Sequence, residues 1–210
     1  RKGQLHLLSA TTSGGEIITV LDEASKPVAG SAVWLGGRRY GCDEKGRTII
    51  PFSNEPGKRT PVIETPAGFA SLAQFHHPSE SYNLHAGIHV EREDLRPGAK
   101  ATIMVRPTLT VADHPISLTR LSKVRLILIS TDTDGVSTTS TVNDFEIASD
   151  REATHEIRVP DRLASLNIRL VAAIKIASQG QKEIELSASQ SFMVNGQLRS
   201  ARINDLFLSG

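Results

Sequence analysis

Asp132-Thr133-Asp134-Gly135 places two carboxylates one residue apart at a tight turn. That spacing opens a calcium loop, where side-chain oxygens converge on one side. A complete loop of that kind needs a further oxygen at position five and a bidentate glutamate at position twelve. Here those positions hold Val136 and Asn143, so the run reads as a hairpin turn. Zinc is the next chemistry to weigh, because the chain has 7 histidines. His76-His77 and the pair His85 and His89 are the close sets, and in a strand His85, Gly87 and His89 share one face. Zinc takes three or four ligands with partners that orient them. The chain has no His-Glu-x-x-His motif, and its single cysteine, Cys42, is distant in sequence. These residues read as surface or hairpin-packed histidines, open to a mild pH response between about 5 and 7 where partly buried. No metal or other cofactor is expected.

Nucleophilic catalysis requires a Ser or Cys beside a base and an oxyanion hole. There is no Gly-x-Ser-x-Gly elbow, and Ser137-Thr138-Thr139-Ser140-Thr141 fits the solvent side of a strand. Gly14-Gly15 and Gly36-Gly37 lack the Lys-Ser/Thr and the helix of a phosphate loop. No catalytic residue is assigned, and the chain is not expected to be an enzyme. Trp34, Arg38, Arg39 and Tyr40 form the aromatic–cation cluster of the chain, a possible ligand patch through stacking and cation–π contact. Trp34 also sits on a strand of small residues, where it reads as a core anchor between two sheets.

These residues must be positioned by strands. Val124 to Ser130, with four successive aliphatics from Leu126 to Ile129, predicts a central strand with apolar side chains on both faces. Shorter strand runs punctuated by Gly, Pro, Asn and Asp fill the rest: Glu16–Leu21 turning at Asp22–Pro27 into Val28–Leu35, then Arg38–Cys42, Arg47–Phe52, Ala101–Pro107, Leu166–Ile176 and Glu183–Leu186. Ala201–Leu208 reads as a short strand or terminal turn. Convincing amphipathic helices are scarce. The fold class is all-β, two consecutive immunoglobulin-like or prealbumin-like sandwiches, since 210 residues suit two modules of ~100. Composition agrees: aromatics are 4% and the net charge is +1 with no long blocks of either sign, so no stacking platform and no nucleic-acid partner are implied. No run of about 18 apolar residues is present, so no membrane span is expected. An opening Arg1-Lys2-Gly3 without Met reads as a processed or excised piece of a longer protein.

Two family resemblances rest on these elements. Val20-Leu21-Asp22, Lys26-Pro27-Val28-Ala29-Gly30-Ser31-Ala32-Val33 and Asp43-Glu44-Lys45-Gly46-Arg47 resemble the carboxypeptidase regulatory-like (transthyretin-like) module. Leu95-Arg96-Pro97-Gly98 before the strand Ala101–Pro107 resembles the opening of macroglobulin-like domains of the alpha-2-macroglobulin superfamily, with Leu95 in place of the usual aromatic. The chain has no Cys-Gly-Glu-Gln thioester motif, so no covalent trapping is implied. These resemblances imply a regulatory-like sandwich over residues 1–80 and a macroglobulin-like one over 81–210, in an extracytoplasmic protein, periplasmic or secreted. Three functions follow as expectations. First comes a non-catalytic spacer or interaction scaffold for other chains or domains of its parent. A carbohydrate- or surface-binding module is second, favoured if Trp34 and Tyr40 share a flat face. A metal-dependent enzyme is third.

Overall fold

A computed structural model describes residues 4–194; the predicted element at Ala201–Leu208 lies outside them. Among these residues seventeen strands follow in chain order. The first nine are β1 (His6–Thr12), β2 (Gly15–Leu21), β3 (Ala32–Leu35), β4 (Arg38–Gly41), β5 (Arg47–Ile50), β6 (Gly57–Arg59), β7 (Val62–Glu64), β8 (Ala70–Leu72) and β9 (Phe75–His77). Then come β10 (Tyr82–Val90), β11 (Lys100–Val111), β12 (His114–Ile116), β13 (Ser122–Asp132), β14 (Ser137–Val142), β15 (Ala153–Arg158), β16 (Leu163–Ile176) and β17 (Lys182–Met193). Helix among the described residues is confined to three single 3-10 turns. The fold is all-β with antiparallel sheets, as expected.

The chain divides into two compact units. Unit 1 comprises Arg1–Asn83, Thr110–Ile116 and Lys175–Glu183. Its sheets run β1-β2-β5, β4-β3-β7-β8 and β6-β9. Its core gathers Leu5, Ile18, Val20, Val33, Ile50, Ile63 and Phe75. The chain was expected to return from β2 directly into a partnering strand from Val28. Instead β2 pairs with β1 and β5. Only a Leu21–Pro27 bridge and the Val28 N–H on Val20 O continue the hairpin. Gly30, at φ 65°, then redirects the backbone into the second sheet.

Unit 2 comprises Leu84–Leu109, Ser117–Ile174 and Ile184–Gly210. It is built on the sheet β14-β13-β16-β17 and on β10-β11, with β15 along the other side of β11. Pro107 lies inside β11, past the last residue that pairs with β15, Val105. A residue without an N–H is tolerated where no ladder bond is asked of it, so the strand runs beyond the end the sequence suggested. β13 is interior, between β14 and β16. Its two faces differ, however: Leu126 and Leu128 are buried whereas Ile127 and Ile129 are half-buried. The strand is central, as expected, with its inner face buried and its outer apolar face half-buried. The outer face is sheltered by cross-strand neighbours such as Thr141 and Arg169 opposite Ile127.

One five-residue loop recurs in both units. In Asp22–Lys26, Asp43–Arg47 and Asp132–Val136 the first residue's N–H donates to the fifth residue's carbonyl. The first aspartate's Oδ1 accepts from the third and fifth N–H groups at 2.8–2.9 Å. Thr65–Phe69 repeats the pattern with Thr65 Oγ1 accepting from Phe69 N–H at 3.2 Å. The fourth residue is left-handed in all four, Ser25 (φ 59°), Gly46 (67°), Gly68 (79°) and Gly135 (82°). A short acceptor at the first position and glycine at the fourth are what this closure asks for. At Gly46 a Cβ would also meet Val20 O and Val28 N at 2.9 Å.

Candidate functional site

The β3–β4 hairpin carries Trp34, Arg38, Arg39 and Tyr40, and its register separates them. Val33 pairs with Tyr40 and Trp34 with Arg39. Successive side chains on a strand point to opposite faces. Val33 is fully buried, and Tyr40 packs half-buried against the same core. Trp34 and Arg39 therefore occupy the outer face. Arg38 sits over the Tyr40 ring at 5.2 Å, a cation–π pair on the other face. Trp34 and Tyr40 form no common flat platform.

Trp34 is 39% exposed, which corrects its reading as a core anchor. Val33 and Leu35 take the inward positions of β3, and that leaves the larger ring outside. Trp34 Nε1 donates to Glu64 Oε2 at 2.7 Å. Its cross-strand partner on β7 is Val62, whose partner on β8 is Leu72. Arg39, Trp34, Val62 and Leu72 thus form one row across four strands. The three apolar members are exposed, Leu72 at 69%. Val62 and Leu72 were not singled out in the sequence, because a row of this kind exists only once the register is known.

The titratable groups considered for metal chemistry lie apart. Asp132 Oδ1 is taken by its own turn, and Asp134 pairs with Arg162 at 2.6 Å. His85 and His89 do share the exposed face of β10, where His89 Nε2 meets Glu91 Oε1 at 3.0 Å. His76 points outward, whereas buried His77 donates from Nε2 to Pro51 O at 2.8 Å. No group of three or more metal-ligating side chains forms among the described residues. No helix among them is long and apolar enough to cross a membrane. Cys42 is half-buried; burial pushes its thiol up, against the hydrogen bond with Ser31.

Glu80 is a buried carboxylate that the sequence did not mark. Tyr82 Oη donates to Glu80 Oε1 at 2.5 Å, and the Ala177 and Ser178 N–H groups donate to its two oxygens at 3.1 and 2.6 Å. Burial pushes this carboxyl up, but those donors outweigh it and hold it below the ordinary glutamate range. All four residues belong to unit 1, and the arrangement fastens a turn rather than presenting a reactive group.

Residues 91–200 match the family described as the AbpF third immunoglobulin-like domain. Actin-binding protein F of Dictyostelium discoideum is 30% identical over 214 residues, covering 99% of this chain and 9% of that protein. The chain thus spans about a tenth of the length of that relative. Among solved structures, a tetra-tandem repeat from the extending region of a large adhesion protein aligns at 12% identity and a TM-score of 0.27, over 92% of this chain and 49% of that one. The Yersinia pseudotuberculosis adhesin InvE aligns at 11% identity and 0.24, over 88% and 58%.

The immunoglobulin-like match replaces the macroglobulin-like reading of the second half. Identity with actin-binding protein F along nearly the whole chain replaces the carboxypeptidase regulatory-like reading of the first. The residues behind that second resemblance are largely the Asp22 and Asp43 loops, whose closure chemistry recurs at Asp132. They report a turn and not a lineage. The extracytoplasmic setting depended on those families and is corrected with them, since the relative that does match is an actin-binding protein.

Proposed function

The chain belongs to the family of AbpF third immunoglobulin-like domains, and from that premise we propose that it is a non-catalytic spacer and protein-interaction scaffold within a longer actin-binding protein. The observation that carries this reading is the alignment of 99% of the chain to 9% of actin-binding protein F. In this reading the working setting is the cytoplasm, alongside actin filaments. The proposed modules are divided near residue 80, with Thr110–Ile116 and Lys175–Glu183 joining the first and most of the matched stretch 91–200 in the second.

The ligand patch expected at Trp34, Arg38, Arg39 and Tyr40 is redrawn in this proposal as the outer row Arg39, Trp34, Val62 and Leu72. Its occupant is a neighbouring module of the same long protein. Exposed apolar residues in a contiguous row suit a protein contact, and Arg39 at one end suits an acidic residue opposite. A carbohydrate platform is not favoured, because Tyr40 faces the core.

The test is a binding titration of the 210-residue chain against the adjoining stretch of its parent protein, read by Trp34 fluorescence. Val62→Ser with Leu72→Ser is expected to weaken binding at least tenfold while the melting temperature stays near that of the parent chain. Equal binding by both, or binding by neither, refutes the face. One-to-one pelleting of the isolated chain with filamentous actin would make it an actin-contacting module instead. A turnover activity abolished by one polar substitution in a folded chain would refute the scaffold reading.

A further inference from the structure

In unit 2 a groove of about 550 Å³ opens between two strands that each end a sheet, β14 and β15. Its floor is apolar, formed by Leu128, Ile157, Leu163 and Leu166. On β14, Thr138 and Ser140 pair with Ser130 and Leu128. Cross-strand partners share a face, so these two point to the core side of their sheet together with buried Leu128. Yet both are exposed. Core-side positions are exposed when nothing lies over them, and among the described residues the sandwich is open at this edge.

The edge itself is undefended. Among the described residues β14 bonds to β13 alone, in unbroken register from Leu126–Val142 to Thr131–Ser137. It holds Ser137-Thr138-Thr139-Ser140-Thr141-Val142, with no charge, proline or bulge. Soluble proteins usually place such features on free edges to refuse a foreign strand. Three other terminal strands do so: β4 carries Arg38 and Arg39, β15 carries Glu156 and Arg158, and β17 carries Lys182, Glu183 and Glu185, whereas β1, β8 and β10 hold no Lys, Arg, Asp or Glu.

We propose that this groove is a strand-addition site: an extended segment of a partner protein pairs along β14, rests alternate apolar side chains on Leu128, Ile157, Leu163 and Leu166, and directs a carboxylate to Arg158. The charges along the lip select that chemistry. Glu156 is engaged by Lys100 at 2.6 Å, Arg162 by Asp134 at 2.6 Å, and Asp132 by its own turn. Arg158 has no ion-pair partner among the described residues, which leaves an exposed cation beside an apolar floor. Asp161, three residues beyond Arg158, lines the same groove and narrows the favourable position for a carboxylate to Arg158 itself. Main-chain bonds supply affinity in this mode, and alternate pockets supply the sequence preference. The site is independent of the Trp34 row.

The probe is a displayed library of random twelve-residue peptides, panned on the 210-residue chain. Enriched peptides are expected to alternate aliphatic residues and to carry Asp or Glu near one end. Thr138→Lys with Ser140→Lys, both at exposed positions, is expected to cost at least tenfold in affinity without changing the melt. Arg158→Glu is expected to weaken the acidic peptides and to favour versions with Lys in place of the acid. Hydrogen exchange is expected to slow at β14 amides when peptide is bound. Failure to enrich any peptide, or peptides that bind the lysine variant equally, would overturn the proposal. So would slowed exchange away from β14, or self-association of the chain through β14 in place of peptide binding.

Discussion

Unit 1 and unit 2 solve the same problem with different means. Unit 2 holds the greater part of β11, β13, β16 and β17, strands of 11 to 14 residues, and among the described residues buries sixteen side chains in one cluster. In unit 1 the strands β3 to β9 have 3 or 4 residues each, and the core cluster has seven buried members among the described residues. Short strands offer few inward positions, so polar fastenings carry more of the load there. Three of the four closed loops and the Glu80 clamp are in unit 1. The difference teaches that strand length decides whether a sandwich is held by its core or by its corners.

The sharpest break of this comparison is in the core of unit 2. Leu126 is fully buried, with Val142 and Leu170 as cross-strand partners. Leu126→Ala is expected to cost about 2–5 kcal/mol, transfer plus cavity. Ile127, one residue on but half-buried on the outer face, is expected to cost about 1 kcal/mol or less as Ala. Urea unfolding of the two variants measures the ratio. Equal losses would mean that the outer face of β13 is covered as completely as the inner.

The next effect tests the polar fastening of unit 1. Glu80→Gln removes a charged acceptor from three donors and is expected to cost about 1.5–3 kcal/mol at neutral pH. The sign of the pH dependence follows from the direction of the shift. Glu80 is held below its ordinary value, so its stabilisation is present above the unfolded glutamate range. It is lost as pH falls through the folded value, which lies below the ordinary glutamate range. Asp43, held low chiefly by the Arg47 N–H, acts in the same direction. Unit 2 is expected to be less acid-sensitive, so Trp34 emission should change at higher pH than the bulk β-sheet circular dichroism. The stability gap between parent and Glu80→Gln should close in acid; a constant gap from pH 7 to pH 3 would show that the charge is not what holds the turn.

Much of this was legible in the residues, and the remainder was not, for definable reasons. β13 could be read as central because four aliphatics in succession suit an interior strand. The aspartate runs could be read as turns because a side-chain acceptor and a following glycine form a local pattern. Trp34 could not be placed, since alternation along Val33-Trp34-Leu35 fixes a period but not which phase faces inward. The Trp34–Val62–Leu72 row and the open core-side positions Thr138 and Ser140 depend on register between strands. Glu80 meets Ala177 and Ser178 across 97 and 98 residues of chain, and nothing local announces such a partner. The family was missed for the opposite reason: the turn pattern was clear but too widely shared to identify one.

The smallest effect asks whether the recurring loop is only a turn, in the unit least dependent on it. Asp132 Oδ1 accepts from the Asp134 and Val136 N–H groups at 2.9 Å each. Asp132→Ala removes both bonds from a solvent-facing hairpin, for an expected loss of about 1 kcal/mol. Asp132→Asn keeps an acceptor at the same atom and is expected to stay within about 0.5 kcal/mol of the parent. An ion site would order these variants differently, because asparagine keeps the geometry but gives up the charge that a cation needs. Thermal melts of parent, Asn and Ala forms, each with calcium and with chelator, separate the two cases. The turn reading requires Asn near the parent, Ala below both, and no response to calcium in any of the three. A parent stabilised by calcium, with Asn falling to the level of Ala, would make Asp132-Thr133-Asp134 a ligand set and end the equivalence with the Asp22 and Asp43 loops.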